Sequence, residues 1–244
     1  MSLPRLAAVA TEPREGLVVP LGAEQAQHLR ALRLQPGSAL ELLLPEGPWR
    51  GELAALGRGT ATVRLVAAIT EDREASIPIE IYLPVTAQLA LVDDMIPPLV
   101  ELGASRLIPT VWARSEHDVR KTLARMERWR RVLAGAAEQS HRNRIPILED
   151  PVPFDTLLQC ELAQRWVAYE IQAGAANPRL RVEPIALASG PEGGITDEEI
   201  DRLRSAGWQT ASLGRSILRA VTAPVALLGA VRFILEDRSP GSGT

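Results

Sequence analysis

Ile185-Ala186-Leu187-Ala188-Ser189-Gly190-Pro191-Glu192-Gly193-Gly194-Ile195-Thr196-Asp197-Glu198-Glu199-Ile200 is the stretch whose reading decides the fold. Its first four residues form a short apolar run of the kind found in a buried strand. Its last six spell a helix start. Thr196 can cap the helix, Glu199 three residues on can reach back to complete a capping box, and Ile195 and Ile200 sit where a hydrophobic staple packs. The glycines therefore occupy a tight turn between a buried strand and a helix N-terminus. In an open α/β sheet that end of a strand is where ligands bind, and glycine lets a ligand approach the main chain. The same turn also reads as a bare connection, so the rest of the chain has to decide.

Outward from that turn the grammar alternates. Ile79–Val85, Leu107–Val111, Trp166–Tyr169, Ile185–Ala188 and Thr210–Leu213 read as strands. Leu89–Leu102, ended by Gly103, reads as a helix, with Pro97-Pro98 expected to interrupt it. Val119 to Glu138 reads as one long amphipathic helix with Leu123, Met126, Trp129, Val132, Leu133 and Ala136 on its apolar face. A last helix runs from Pro224 to Leu235. Such alternation implies a mostly parallel sheet covered on both faces, an α/β fold. Residues 1–72 differ: Leu17–Pro20, Ala39–Leu44, Trp49–Leu53 and Ala61–Val66 read as strands around one short helix at 22–32, a pattern that suggests a small β-barrel. Residues 73–76 read as a linker, 77–238 as the second domain and 239–244 as a flexible tail.

The composition narrows the function. An apolar fraction of 46% suits a globular chain of 244 residues with a real core. No apolar run approaches the roughly 20 residues that span a bilayer, and Met1-Ser2-Leu3-Pro4-Arg5 lacks the layout of a secretory signal. Cys160 is the only cysteine, which excludes an internal disulfide, and its leucine neighbours suggest a core thiol. His28, His117 and His141 have no metal-binding spacing, so no metal is expected, and a reducing cytoplasm fits. A net charge of −3 argues against non-specific nucleic-acid binding by the whole surface but allows a local basic patch.

The sequence contains no nucleophile elbow, phosphate loop or dinucleotide fingerprint. Three constellations remain. The first is the opening turn. The second is Ser212-Leu213-Gly214-Arg215-Ser216-Ile217-Leu218-Arg219, again at a strand end and before a helix. Two such turns at one sheet edge make a cleft rich in backbone amides. Arg219 beside it reads either as a surface ion pair or as a catalytic cation. The third is a basic segment: Arg114, Arg120, Lys121, Arg125, Arg128, Arg130, Arg131, Arg142 and Arg144. Its mid-helix arginines read as a solvated face, while Arg114 and the polar loop Gln139-Ser140-His141-Arg142-Asn143-Arg144 read either as a solvated face or as phosphate contacts.

Together these residues resemble the ribosomal RNA uridine-N3 methyltransferase family of the SPOUT superfamily. His28-Leu29 with Leu32-Arg33 resembles an N-terminal element of that family. Glu101–Pro109, Arg114-Ser115, Ala136–Ser140, the stretch 189–200 and Ser212–Arg219 follow in the family's order. The resemblance implies a SPOUT parallel sheet whose C-terminal part forms a trefoil knot, preceded by a PUA-like β-barrel. It implies S-adenosylmethionine as cofactor, contacted by Tyr169 and Glu170, by Ala188, Ser189, Gly190, Glu192, Gly193 and Gly194, and by Leu213, Gly214, Ser216, Ile217 and Leu218. Arg219 would be catalytic. His28, Arg33, Arg114, Gln139, Ser140, Arg142 and Arg144 would meet RNA of the small ribosomal subunit, and the protein would be a homodimer without a membrane anchor.

Three positions depart from the family pattern. Val221 stands where the family has a carboxylate, Pro97-Pro98 where it has Gln-Lys, and no basic residue occurs around Thr86-Ala87. These losses touch polar groups facing RNA or substrate and spare the backbone-built pocket. They permit an active enzyme, a catalytically degenerate RNA-binding relative, or an enzyme with another RNA target.

Overall fold

The computed structural model describes residues 3–169 and 178–238, the side chains as far as Leu235. The chain divides into two compact units, Met1–Glu74 with Ala137–Ile145, and Ala75–Ala136 with Pro146–Thr244. The segment 137–145 thus groups with the N-terminal residues, although in sequence it falls inside the range read as the second domain. Position 74, read as linker, is tied down by hydrogen bonds from Arg142, Asn143 and Arg144.

The first unit contains β1 (Arg5–Ala7), β2 (Val18–Leu21), α1 (Ala23–Ala31), β3 (Ala39–Leu44), β4 (Gly47–Leu56) and β5 (Ala61–Ala68). They form a five-stranded sheet in the order β1-β3-β4-β5-β2. The strands at 39–44 and 61–66 fall where alternation puts them, and β4 extends past the expected end. Strand β1 was not legible, because three residues with a charged first member carry no periodicity. Leu29 of α1 packs with Leu40, Leu42, Leu53, Val63 and Leu65 in one core.

The second unit begins with β6 (Ile79–Pro84), α2 (Ala90–Glu101), β7 (Arg106–Val111), α3 (Val119–Leu123) and α4 (Met126–Gln139), the last of which belongs to it only as far as Ala136. Short strands β8 (Ile147–Leu148) and β9 (Val152–Pro153) follow, then a 3₁₀ turn at Phe154–Gln159. β10 (Gln164–Ala168), β11 (Ile185–Ala188), α5 (Asp197–Ser205), β12 (Gln209–Ala211) and α6 (Ala223–Arg238) complete it. The sheet order is β12-β10-β11-β6-β7-β8, with β9 also on β7, and every pair is parallel. All four residues of β11 are buried, as a strand covered on both faces requires. Beside it, Tyr82 meets Trp208 edge-on with ring centroids 5.6 Å apart, and Cys160 is buried in the same cluster. Burial, reinforced by the Cys160 thiol, pushes the Tyr82 phenol well above its usual range.

Two expectations fail here. Pro97 and Pro98 do not interrupt α2. They remove two intrahelical donors, yet Val92, Met95, Ile96, Leu99 and Val100 bury one face of the helix on both sides of them, so packing outweighs propensity. The long helix expected over 119–138 is two helices. Asp118 caps α3, and the chain tightens at Arg125, whose N–H donates to Thr122 O at 3.0 Å, before α4 starts. That reset leaves Leu123 44% exposed rather than on the buried face, while Met126, Trp129 and Leu133 stay buried.

Candidate active site

Because the sheet is parallel, its strands end on a common edge, and the loops after β10, β11 and β12 meet there around a cleft of about 710 Å³. That volume lies within the range of small-molecule sites.

The loop after β11 is built from its glycines outward. A Cβ on Gly190 would sit 2.5 Å from Ile195 Cγ1, and one on Gly193 2.8 Å from Arg114 Cβ, so both positions exclude larger residues. Gly194 has φ +75°, a left-handed conformation that favours glycine. Behind them the capping box forms as the sequence indicates: Glu199 N–H donates to Thr196 Oγ1 at 3.1 Å, and Thr196 N–H to Glu199 Oε2 at 2.9 Å. Sequence reasoning missed a further bond, from Ala113 N–H to Glu199 Oε1 at 2.7 Å. This glutamate, 4% exposed, thereby joins the loop after β7 to the start of α5. Arg114 donates to Gly193 O at 2.9 Å, and Glu192 Oε2 accepts from Ala87 N–H at 3.2 Å, so the β6 and β7 ends are also tied in.

The loop after β12 is made differently. Its internal bonds include those between Ser212 Oγ and both the N–H and the carbonyl of Gly214, each at 3.3 Å. Ile217 is 84% exposed. At its far end the Arg219 carbonyl accepts from Thr222 and Ala223 N–H, which fixes that backbone to the start of α6.

Most of the expected cofactor residues line the cleft. Tyr169 does so after β10; Ser189, Gly190, Glu192 and Gly194 after β11; and Leu213, Gly214, Ser216, Ile217 and Leu218 after β12. Arg219 lines it too. Ala188 instead lies buried in the sheet, and Gly193 carries Arg114. Glu170 lies outside the described residues, as does the expected tail at 239–244. Leu91 of α2 and Ala220 are also in the lining, and nothing in their local sequence distinguishes them from ordinary core residues. Of the buried side-chain polar atoms without a hydrogen-bond partner among the described residues, one belongs to the cleft lining: Ser189 Oγ, on a residue 1% exposed.

The expected RNA contacts separate into groups. Arg114 is exposed but braces Gly193. Arg142 is corrected: it is 3% exposed and ion-paired with Glu74, so it serves as an internal brace and not as a surface cation. His28, Arg33, Gln139 and Arg144 are exposed, and Ser140 is half-buried. Among the described residues no cluster of side chains could hold a metal ion, and no helix is long and apolar enough to cross a membrane.

Comparison with known proteins gives consistent matches. The model of the RNA methyltransferase domain family matches residues 73–232. The chain is 33% identical over 239 residues to the ribosomal RNA small subunit methyltransferase E of Synechocystis, covering 94% of this chain and 77% of that protein. It is 30% identical to the Bacillus subtilis protein of the same name, over 87% of this chain and 89% of that one. The crystal structure of a ribosomal RNA small subunit methyltransferase E from Neisseria gonorrhoeae, bound to S-adenosyl methionine, superposes with a TM-score of 0.84 at 25% identity. That match covers 95% of this chain and 98% of the other.

Proposed function

We propose that this chain, which belongs to the RNA methyltransferase family and to its ribosomal RNA small subunit methyltransferase E members, transfers a methyl group from S-adenosylmethionine to small-subunit ribosomal RNA. The observation that carries the proposal is the cleft between two glycine-bearing loops with one arginine in its lining. The residues present fit such a cofactor. Ser189 Oγ is a buried hydroxyl without a partner in the wall, a group that ordinarily finds one. Gly190 lines the cleft as well, and Ile195 packed against it leaves no room for a side chain there.

The cofactor, when bound, supplies an electrophilic methyl group. The protein's own work is to orient the acceptor and manage its proton. The acceptor we assign is N3 of a uridine, whose proton must leave as the nitrogen becomes a nucleophile. Arg219 lines the cleft as a cation and would stabilise negative charge developing on the uracil carbonyl oxygens. The target base has to be unstacked from the RNA to reach it. We extend the reading to the chain as a whole: a trefoil knot in the second unit, a PUA-like barrel in the first, and a homodimer acting in the cytoplasm, where ribosomal subunits are found. The sheet order supports the knot, because β10 and β11 from late in the chain lie between β12 and the early strand β6.

A second reading has one specific observation in its favour. Val221 lines the cleft where the family pattern has a carboxylate, as a relative that binds RNA without methylating it would allow. Nucleoside mass spectrometry of small-subunit ribosomal RNA separates the two. In a strain lacking the gene, N3-methyluridine should disappear and return on complementation. An unchanged nucleoside profile, with cofactor binding intact, would establish the second reading.

A further inference from the structure

A second concavity lies wholly within the first unit. It has a volume of about 700 Å³ and is lined by residues 7–9, 43–45 and 144–145 together with Pro20 and Gln25. Leu43 and Leu44 are buried, whereas Val9 is 80% exposed and Ile145 40%. Its polar framework is already committed. Ala7 N–H donates to Glu138 Oε1 at 2.6 Å, Ala7 O accepts from Gln25 Nε2 at 2.7 Å, and Gln25 Oε1 accepts from Gly22 N–H at 2.7 Å. The Arg144 guanidinium is the exception: among the described residues it has no hydrogen bond or ion pair.

The backbone that carries Arg144 is clamped. Glu74 accepts from Asn143 N–H at 2.8 Å, from Arg144 N–H at 3.2 Å and from Arg142 Nε at 2.9 Å. Asn143 closes the clamp from the other side, its Oδ1 accepting from Arg73 N–H at 2.9 Å and its Nδ2 donating to Glu71 O at 2.8 Å. Methyl transfer makes no use of this pair, in which Arg142 is buried and Glu74 half-buried, and taking charge out of water is costly. What the pair achieves is to hold one free guanidinium at the rim of an apolar slot.

We propose that this slot takes a single unstacked nucleobase of the RNA substrate, an inference that rests on the reading of the chain as an RNA methyltransferase. A nucleobase has flat apolar faces and is attached to an anion. The slot offers exposed aliphatic walls and one cation able both to stack on a base and to meet its phosphate. The base held there is not the one that reacts, because Arg219 and the glycine-bearing loops belong to the other unit. The slot grips RNA; it does no chemistry.

The test uses full-length protein and transcripts of small-subunit ribosomal RNA substituted with 4-thiouridine. Irradiation should give crosslinks that map to residues 7–9 and 144–145. Val9→Asp should remove them and weaken RNA binding about tenfold. Arg144→Ala should weaken binding and lower the slope of log affinity against log salt by about 1. S-adenosylmethionine affinity by calorimetry should be unchanged in both, because the cofactor cleft lies in the other unit, and wild-type circular dichroism and melting transitions show that the first unit still folds. Crosslinks confined to other residues, or unchanged RNA affinity in Val9→Asp, would overturn the slot. So would a change in sedimenting mass on Val9→Asp, since the occupant would then be a second copy of the chain. Wild-type protein that binds neither RNA nor cofactor would sink the enzymatic reading itself. RNA binding without a signal from the slot sinks only this inference.

Discussion

The two loops that face each other across the cleft are built on opposite principles. The loop after β11 is over-determined: two of its glycines have no space for a side chain, its helix is capped reciprocally, and Glu199, Arg114 and Glu192 tie it to neighbouring strand ends. The loop after β12 has, among the described residues, an internal turn at Ser212–Gly214, an anchored carbonyl at Arg219 and an isoleucine in solvent, and Ser212 takes part in a further interaction. A preformed wall costs little to present to a ligand. The loop after β11 is such a wall, fixed by packing against its glycines and by bonds to neighbouring strand ends, while the loop after β12 offers space at Gly214 and an exposed side chain at Ile217.

Substitutions test that contrast, beginning with the largest effect. Arg219→Ala should cut turnover about a hundred- to a thousand-fold and leave cofactor affinity by calorimetry largely intact. Unchanged turnover would remove Arg219 from the catalytic role. Gly190→Ala drives a Cβ to 2.5 Å from Ile195 Cγ1 and 3.3 Å from the Ile195 nitrogen. It should cost about 1–3 kcal/mol in denaturant unfolding and weaken cofactor binding by about tenfold or more. Gly214→Ala meets nothing within 4 Å and pays only for φ +112°, about 1 kcal/mol; equal effects at the two glycines would erase the contrast.

Ser189→Ala removes a buried hydroxyl that has no partner. Its melting temperature without cofactor should match or exceed that of the wild type, while cofactor affinity falls several-fold. A drop in stability would mean that the hydroxyl serves the fold and not the ligand. The smallest effect, a control remote in sequence from both loops, is at Glu138. Burial raises its pKa, assisted by Glu24 and opposed by the Ala7 N–H and by His28. A carboxyl held protonated more tightly when folded contributes stability below its unfolded pKa and loses it as pH rises through the raised value. Glu138→Gln should therefore melt slightly above the wild type at neutral pH, with the difference closing in mild acid.

Much of this was legible in the chain because the signals are local. The strand at 185–188, the capping box at 196–199 and the strand at 39–44 were found at their observed positions. Ten of the thirteen expected cofactor residues line one cleft. The misreadings share one cause. Pro97-Pro98 breaks a helix on propensity, but a buried face holds α2 together. The apolar repeat over 119–138 continues through a break that only the Asp118 cap and the packing of Met126 and Trp129 explain. Arg142 looks like Arg144 until Glu74, 68 residues away, is seen to pair with it in the interior.

By itself, then, the sequence determined what depends on neighbouring residues: periodicity, caps, turns, and the order of motifs that marks the family. Tertiary structure decided what depends on distant ones. It made Glu199 a joint between two loops, turned Arg142 inward, left Arg144 uncommitted above an apolar slot, and gave the two walls of the cleft unequal support. A charged side chain costs little in water and several kcal/mol when buried without a partner. Whether an arginine braces the fold or meets RNA therefore depends on where a carboxylate from elsewhere in the chain comes to rest.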